Sequence, residues 1–158
     1  MNSVCLRWPE PALSPNGRVH YMTRHRAVRQ YRFATTYQAR GQTRLQKPIC
    51  AIIPLVSTKR RRDLDNVLAS LKSALDGLTD AEWWNDDHDI VGFHMIPEVH
   101  ARLWGENKIV ILACEEDDLP ALHEAVKAFR TGVTSGQPNA ALELLTRQHP
   151  LSRGRAAP

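Results

Sequence analysis

Apolar and polar positions along the chain follow strand patterns in four short segments. VCLRW near the N-terminus alternates, and the apolar run ICAIIPLV has the length and β-branched content of a strand buried on at least one face. Pro54 inside that run favours an edge position or a bulge, because proline donates no hydrogen bond to a neighbouring strand. IVGFHMI and KIVILAC predict two more strands, which a hairpin through the polar WGEN segment would join.

Helical patterns separate these strand segments. Residues 23 to 41 predict a helix, since they contain no proline and no glycine before Gly41. One side would carry the core residues: Ala27, Val28, Tyr31 and Ala34. The other side would carry basic and aromatic side chains: Arg26, Arg29, Arg32, Phe33, Tyr37 and Arg40. The pattern is typical of an amphipathic surface helix, and it also suits a face that follows phosphates and touches bases with its rings.

The clearest helical pattern covers residues 64 to 78. Its apolar stripe consists of Leu64, Val67, Leu68, Leu71, Leu75 and Leu78. Its polar face consists of Asp65, Ala69, Lys72 and Asp76. Two later patterns, at about 118 to 131 and 139 to 148, predict further helices, and residues 151 to 158 are typical of a frayed tail.

These elements together predict one α+β domain, a small mixed sheet flanked by helices with a helical C-terminal extension. A chain of 158 residues can bury one sizeable core. No apolar run approaches the roughly 20 residues that cross a bilayer, and the N-terminus shows no secretory signal. Cys5, Cys50 and Cys114 are scattered and odd in number, which argues against a disulfide framework and favours a reducing cytoplasm.

Charge divides the chain into two unlike halves. Residues 1 to 62 hold thirteen Lys or Arg and one acid, Glu10, a net charge of 13 − 1 = +12. Residues 63 to 158 hold eight basic and sixteen acidic residues, a net charge of 8 − 16 = −8. Solvated surface accounts for such charges in many proteins, but a basic surface is also what phosphate neutralisation requires. The join falls inside RRRDLDN, so a basic tract ends directly against two acids.

Two pairs of carboxylates bracket the helix predicted at residues 64 to 78. Asp63 and Asp65 stand at its start, where aspartate is also a good helix cap. Asp86 and Asp87 follow after one helix and one turn. If the four carboxylates converge they require a cation, and oxygen ligands favour Mg²⁺, or Mn²⁺, over zinc. Such an ion would activate a water molecule and offset charge on a phosphodiester.

Residues around the acids support this interpretation or compete with it. Trp83 and Trp84 precede the second acidic pair and could pin its turn against the core. The evenly spaced His88, His94 and His100 are interpreted as accidental rather than as a metal site, because Pro97 interrupts any continuous strand.

The quoted segments resemble one known family. RRRDLDNVL…SALDGL…WWNDDHDIV is similar to the central signature of the RusA-type Holliday junction resolvases, which are common in phages and prophages, and LSPNGRVHYMTRHRAVRQYR is similar to the opening of phage-type members. The resemblance implies a small α+β homodimer that cuts four-way DNA junctions with Mg²⁺ and uses no small-molecule cofactor. It divides the chain into a RusA-like nuclease domain at 1–114, a helical extension at 115–150 and a tail at 151–158.

The resemblance also implies roles for individual residues. By position, Asp63, Asp65 and Asp87 match the catalytic metal ligands, and Asp86 matches a neighbouring acid that is a ligand or a helper. The residues expected to grip the DNA backbone are basic: Lys59, Arg60, Arg61, Arg62, Arg26 and Arg29.

One position departs from the family pattern. The family usually has a lysine four residues after the second acid, where this chain has Ala69. Lys72 shares the polar helical face and could reach the site from one turn away. The sequence therefore predicts a Mg²⁺-dependent junction-resolving endodeoxyribonuclease. The alternatives are a junction-binding protein of the same fold that has lost turnover, and a nuclease for another branched or single-stranded nucleic acid.

Overall fold

A computed structural model describes residues 1–58, 62–97, 99–100 and 106–134. Within these ranges, five strands and four helices follow one another: β1 (Asn2–Arg7), α1 (Tyr21–Ala39), β2 (Pro48–Val56), α2 (Leu64–Ser70), α3 (Lys72–Asp80), β3 (Gly92–Met95), β4 (Val99–His100), β5 (Lys108–Glu115) and α4 (Leu119–Thr134). The predicted first strand and first long helix are confirmed, and so is the α+β class. No helix among the described residues is long and apolar enough to span a membrane.

The sheet is mixed, with strand order β1-β5-β2-β3 and with β4 also paired to β2. β5 runs antiparallel to both β1 and β2, whereas β3 and β4 run parallel to β2. The predicted hairpin between IVGFHMI and KIVILAC is therefore wrong, because the two strands lie on opposite sides of β2. β2 is paired along both of its edges and covered on both faces, and all nine of its residues are buried.

Pro54 lies in this central strand, in register with Ile109 of β5, so the predicted edge position or bulge is also wrong. The carbonyls of Pro48 and Ile52 accept hydrogen bonds from Val91 and Ile96, so the even-numbered residues of β2 direct their backbone groups towards β3. By this alternation the missing N–H of Pro54 faces the break between β3 and β4. The proline is tolerated because no ladder bond is required there.

The sheet lies between two helical layers, and each of its faces has its own apolar core. On the first face α1, α2 and α3 cover a cluster that includes Leu6, Cys50, Ile52, Ile109, Ile111, Trp83 and Trp84. On the second face α4 inserts Leu122, Val126 and Phe129 against β2 and β5. The helix predicted at about 118 to 131 is thus confirmed as α4, which covers a face of the sheet. The second predicted C-terminal helix and the tail lie outside the described residues.

The buried side of α1 differs in part from the predicted one. Ala27 is buried as expected, but Ala34 is exposed, and the buried positions near the C-terminal end are Thr35, Thr36 and Ala39. The Thr35 and Thr36 hydroxyls each donate a hydrogen bond of 2.9 Å to a carbonyl one turn earlier in α1, so neither hydroxyl is buried without a partner. Threonine can therefore line a helix contact that a hydrophobicity pattern does not predict.

Gly77 sets the distance between α1 and α3. A Cβ atom at this position would lie 2.6 Å from the Arg32 carbonyl oxygen and 2.9 Å from the Thr35 Cβ. The Thr36 hydroxyl also contacts the Gly77 carbonyl oxygen at 3.1 Å. The absent side chain thus lets the backbones of the two helices approach closely.

The helix predicted over residues 64 to 78 is broken at Leu71 into α2 and α3, so a single helix there is wrong. The Ser70 hydroxyl donates to the Asn66 carbonyl at 2.7 Å, a side-chain bond that bends helices. The Leu71 N–H bonds to the Leu68 carbonyl at 2.9 Å, one residue tighter than in an α-helix. Leu71 itself is fully buried, so the break is packed against the core and Lys72 becomes the first residue of α3.

Candidate acidic site

Two buried tryptophans hold the turn that carries the second acidic pair. Trp83 and Trp84 are almost fully inaccessible and meet edge to face, with ring centroids 5.9 Å apart. The Trp83 indole donates to the Ala39 carbonyl at 2.9 Å, and the Trp84 indole donates to the Thr79 hydroxyl at 2.8 Å. Each ring is thereby satisfied inside the apolar core. The predicted role of the tryptophans in pinning this turn is confirmed.

The acids in the turn differ in what they do. Asp86 caps the short 3₁₀ turn at Asp87–Asp89, because its carboxylate accepts from the His88 N–H at 2.9 Å. Asp89 completes a capping box by accepting from the backbone N–H groups of Asn85 and Asp86. Asp87 is left to point its carboxylate outwards, and it is exposed. The local hydrogen bonds thus leave Asp87 as the acid of the pair that is free of capping.

Lys72 joins the start of α3 to this turn. Its ammonium lies 3.3 Å from an Asp87 carboxylate oxygen and 3.5 Å from one of Asp76. The pKa of Lys72 is raised, first by the hydrogen bond to Asp87 and then by the charges of Asp76 and Asp87. The pKa of Asp87 is lowered, first by a side-chain hydrogen bond shared with Asp86 and then by the hydrogen bond that Lys72 donates. The helix break at Leu71 therefore coincides with the residue that reaches the acidic turn.

The first acidic pair lies at the start of α2, as predicted. Asp63 is the N-cap of α2, with its carboxylate accepting from the Asp65 N–H at 3.3 Å and from the Asn66 amide at 3.1 Å. Asn66 in turn accepts a bond from the Asn16 amide at 3.2 Å. The Asp65 carboxylate is exposed and makes no hydrogen bond or ion pair with a described residue. The capping interpretation is therefore correct for Asp63, whereas Asp65 is left free for another partner.

An open cleft of about 490 Å³ lies beside Asp63. Its lining also includes residues that the sequence did not single out as a group: Trp8, Glu10, Ser14, Asn66, Ser70 and Asn107. One signal was available, since Glu10 is the only acid among residues 1 to 62. The N-terminal loop therefore brings a further carboxylate and Asn16 towards the start of α2.

The donor chemistry of these acids suits a hard cation such as Mg²⁺, because carboxylate oxygens supply all the ligands. Among the described residues, however, no three carboxylate, imidazole or thiol groups lie close enough together to hold a metal ion. The positive partner of Asp87 is the Lys72 ammonium. The structure thus brings together Lys72, Asp86 and Asp87, while Asp63 and Asp65 form a separate pair at the start of α2.

The predicted phosphate-gripping residues lie in two places. Arg62 stacks over the Trp8 ring, 5.1 Å from its centroid, and donates to the Thr58 hydroxyl at 3.1 Å at the rim of the cleft. Arg26 and Arg29 are exposed on α1. Lys59, Arg60 and Arg61 lie outside the described residues.

One histidine contact lies outside this region. The ring centroids of His94 on β3 and His123 on α4 are 5.4 Å apart, whereas His88 is exposed in the acidic turn. The side chain of His100 lies outside the described part of the chain. The sequence did not predict the contact, because it joins a strand to a helix beyond the region of family resemblance.

Comparison with known proteins identifies a relative of the chain. No protein-family model matches the chain. A protein of Xylella fastidiosa (strain Temecula1), described as an uncharacterized protein, is 39% identical over 118 residues, which cover 70% of this chain and 76% of the relative. At that identity and coverage, the chain belongs to the same family as the Xylella fastidiosa protein.

Proposed function

We propose that the protein is a Mg²⁺-dependent, structure-selective endodeoxyribonuclease that resolves four-way DNA junctions by phosphodiester hydrolysis. The observation that carries this proposal is the contact between Lys72 and Asp87, 3.3 Å long. The RusA-type resolvases that the chain resembles usually have a lysine beside the catalytic acids, at the position that is Ala69 here. Lys72, the first residue of α3 after the break at Leu71, makes this contact with the acidic turn.

In this proposal the acids and the lysine have separate roles. By the family resemblance, Asp63, Asp65 and Asp87 would hold the metal ion, Asp86 would be a further ligand or a helper, and Mn²⁺ could take the place of Mg²⁺. The ion, when bound, supplies an activated water and offsets negative charge on the phosphodiester. Lys72 holds the Asp87 carboxylate before substrate binds and then stabilises charge that develops on the phosphate oxygens. The pairing of Lys72 with Asp87 is exposed, so arriving DNA or metal can displace it at little cost.

The basic residues position the DNA without reading its sequence. Arg62 at the rim of the cleft and the adjoining tract Lys59 to Arg61 would contact phosphates on either side of the cut. Arg26 and Arg29 on α1 would extend this contact along a second arm of the junction.

A homodimer suits the substrate, because symmetric cleavage of a four-way junction requires two sites related by a two-fold axis. The unpaired cysteines fit a cytoplasmic setting.

A second function has its own support. Ala69 stands where the family has lysine, and the described carboxylates form no cluster of three that would hold a metal. Both observations favour a protein that binds branched DNA and does not cut it. In that case Lys72 would act as the permanent counter-ion of Asp87.

A junction assay separates these functions. The protein is incubated with a labelled four-way junction and with a linear duplex of matched sequence, first in Mg²⁺ and then in Ca²⁺. We expect paired nicks in the junction in Mg²⁺, binding without cleavage in Ca²⁺, and little cleavage of the duplex. Binding without nicks in Mg²⁺ across a range of pH would assign the protein to the DNA-binding alternative, and equal cutting of both substrates would assign it to a general nuclease.

A further inference from the structure

The outer face of α1 carries one continuous stripe of basic and large apolar side chains, here called the α1 stripe. It consists of Met22, Arg26, Arg29, Phe33 and Tyr37, and it is continued by Arg40 at the C-cap of the helix. At 3.6 residues per turn these six positions fall within about 80° of one another around the helix axis. The stripe is about 27 Å long, since eighteen steps of about 1.5 Å separate Met22 from Arg40.

The apolar members of the stripe are unusually exposed for their size. Met22, Phe33 and Tyr37 have 55%, 67% and 68% of their surface accessible. They are not pieces of the core, because α1 buries its other side through Ala27, Thr35 and Ala39. A hollow of about 820 Å³ is lined by Met22, Arg29 and Phe33, and also by Asp80 of α3. Exposed large apolar groups next to a hollow are typical of a binding surface.

The charge around the stripe has one sign. Residues 11 to 62 contain no Asp or Glu, so α1 has no acid of its own. Arg26, Arg29 and Arg40 make no ion pair with any residue that the structure describes. The one acid at the hollow, Asp80, is already bound by the Arg32 guanidinium through contacts of 2.5 and 2.6 Å. The stripe therefore presents three uncompensated positive charges between exposed rings.

We propose that the α1 stripe binds single-stranded DNA, with Phe33 and Tyr37 stacking on unpaired bases and the arginines holding the phosphates between them. Phe33 and Tyr37 are one turn apart, so their rings lie about 6 Å apart along the axis and can each receive a base. Arginines alone would suit any duplex, whereas flat rings contribute only where bases have left their stack. The inference rests on the proposed function, and it adds that the substrate has unpaired nucleotides near the branch.

An anionic membrane surface is the other polyanion that such a stripe could meet, since aromatic and basic residues also bind lipid headgroups. The hollow favours DNA, because a planar base can enter a concave site beside Phe33, whereas a bilayer surface cannot. α1 also lacks the wide apolar face of an interfacial helix, since Arg26 and Arg29 separate Met22 from Phe33 on the stripe itself.

The test measures binding of the full chain to a fluorescein-labelled single-stranded oligonucleotide and to a blunt duplex, both in EDTA. The variant Phe33→Ala/Tyr37→Ala is compared with Phe93→Ala, which removes an exposed ring from β3 on the sheet edge instead. We expect the stripe variant to lose about fivefold or more in single-strand affinity for each ring that stacks, with less than a twofold change for the duplex. Phe93→Ala should change neither, and Phe33→Tyr should retain single-strand binding.

The remaining outcomes are decisive. An unchanged single-strand affinity in the stripe variant, or an equal loss on duplex and single strand, would overturn base stacking. Loss of binding to phosphatidylserine-containing vesicles with single-strand affinity intact would assign the stripe to a membrane. Failure here is distinguishable from failure of the proposed function, because the assay contains no metal and scores no cleavage. A protein that never cuts DNA can still bind single strands through the stripe, and a resolvase can lack this binding.

Discussion

The acidic site and the α1 stripe carry opposite charges, and they differ just as much in how their side chains are held. At the acidic site most carboxylates are tied down: Asp63 by Asn66, Asp86 by the His88 N–H, and Asp87 by Lys72. On the α1 stripe, the arginines and rings make no hydrogen bond or ion pair with described residues and keep their freedom. Fixed groups suit chemistry, which requires set distances, and free groups suit a substrate of variable shape. The difference predicts that changes at the acidic site affect rate, whereas changes on α1 affect affinity.

The largest expected effect is at Asp65, the carboxylate without a local partner. Asp65→Asn should lower the rate of junction cleavage by roughly 10²- to 10³-fold, because the site loses one negative charge towards the cation. Junction affinity in Ca²⁺ should stay within about twofold, which a gel-shift titration measures. Asp117→Asn, an equal change at an exposed acid before α4, is the control. Cleavage at the wild-type rate in Asp65→Asn would remove this residue from the site.

The next effect concerns Lys72. Lys72→Ala should reduce the cleavage rate by about 10- to 100-fold and leave binding almost unchanged, since one exposed ammonium contributes less than a metal ligand. Lys127→Ala removes an equally exposed lysine from α4 and should have no effect. The double variant Ala69→Lys/Lys72→Ala restores a lysine at the family position. Recovery of rate in the double variant would support a shared role, and the same rate in Lys72→Ala as in the wild type would contradict it.

A third effect acts on the scaffold that holds the two regions together. Gly77→Ala should lower the free energy of unfolding by about 1–3 kcal/mol, because the new Cβ would meet the Arg32 backbone, which cannot move independently of α1. Urea denaturation measures the change. Gly92→Ala is the matched control, since its nearest neighbours would be the Ile49 side-chain atoms at 3.9 Å. Similar losses in the two variants would mean that α1 and α3 have more room than the structure shows.

The smallest effect is at the ion pair between Arg32 and Asp80. The hydrogen bond from Arg32 lowers the pKa of Asp80 from its ordinary value of 3.8, so the pair stabilises the fold above that pH and loses its effect as pH falls towards the lowered value. Both side chains are well exposed, which limits the contribution to about 0.5 kcal/mol. Asp80→Asn should therefore be slightly less stable than the wild type at pH 7, and the difference should shrink as the pH falls below 3.8. A constant difference over this pH range would point to a cause other than charge.

Local patterns in the sequence predicted most of the elements. The strands, α1, the start of α2 and the acidic turn all depend on neighbours within a few residues, and the structure confirms them. The misses depend on distant contacts. The break at Leu71 needs the Ser70 back-bond together with a buried site for Leu71, and Pro54 fits a central strand only because two separate strands share its far edge.

At the candidate site, too, local patterns were predicted from the sequence and contacts between distant residues were not. Motif matching found the acids, since each lies in a short signature, and helical periodicity suggested Lys72. It could not show that Lys72 meets Asp87, because that contact depends on how the chain folds back over the fifteen positions between the two residues. It also missed the approach of Glu10 and Asn16 to α2, which a loop brings together across about fifty residues.

Cys50, in the centre of β2, can report how often the helical layer over the sheet opens. Its side chain is fully buried, and burial raises the pKa of the thiol to about 12. A thiolate is the species that alkylating reagents attack, so the folded protein offers them almost none at this position. Only an opening that separates α1, α2 and α3 from the sheet exposes the sulfur. The rate at which Cys50 is alkylated therefore measures how often the sheet loses its helical cover.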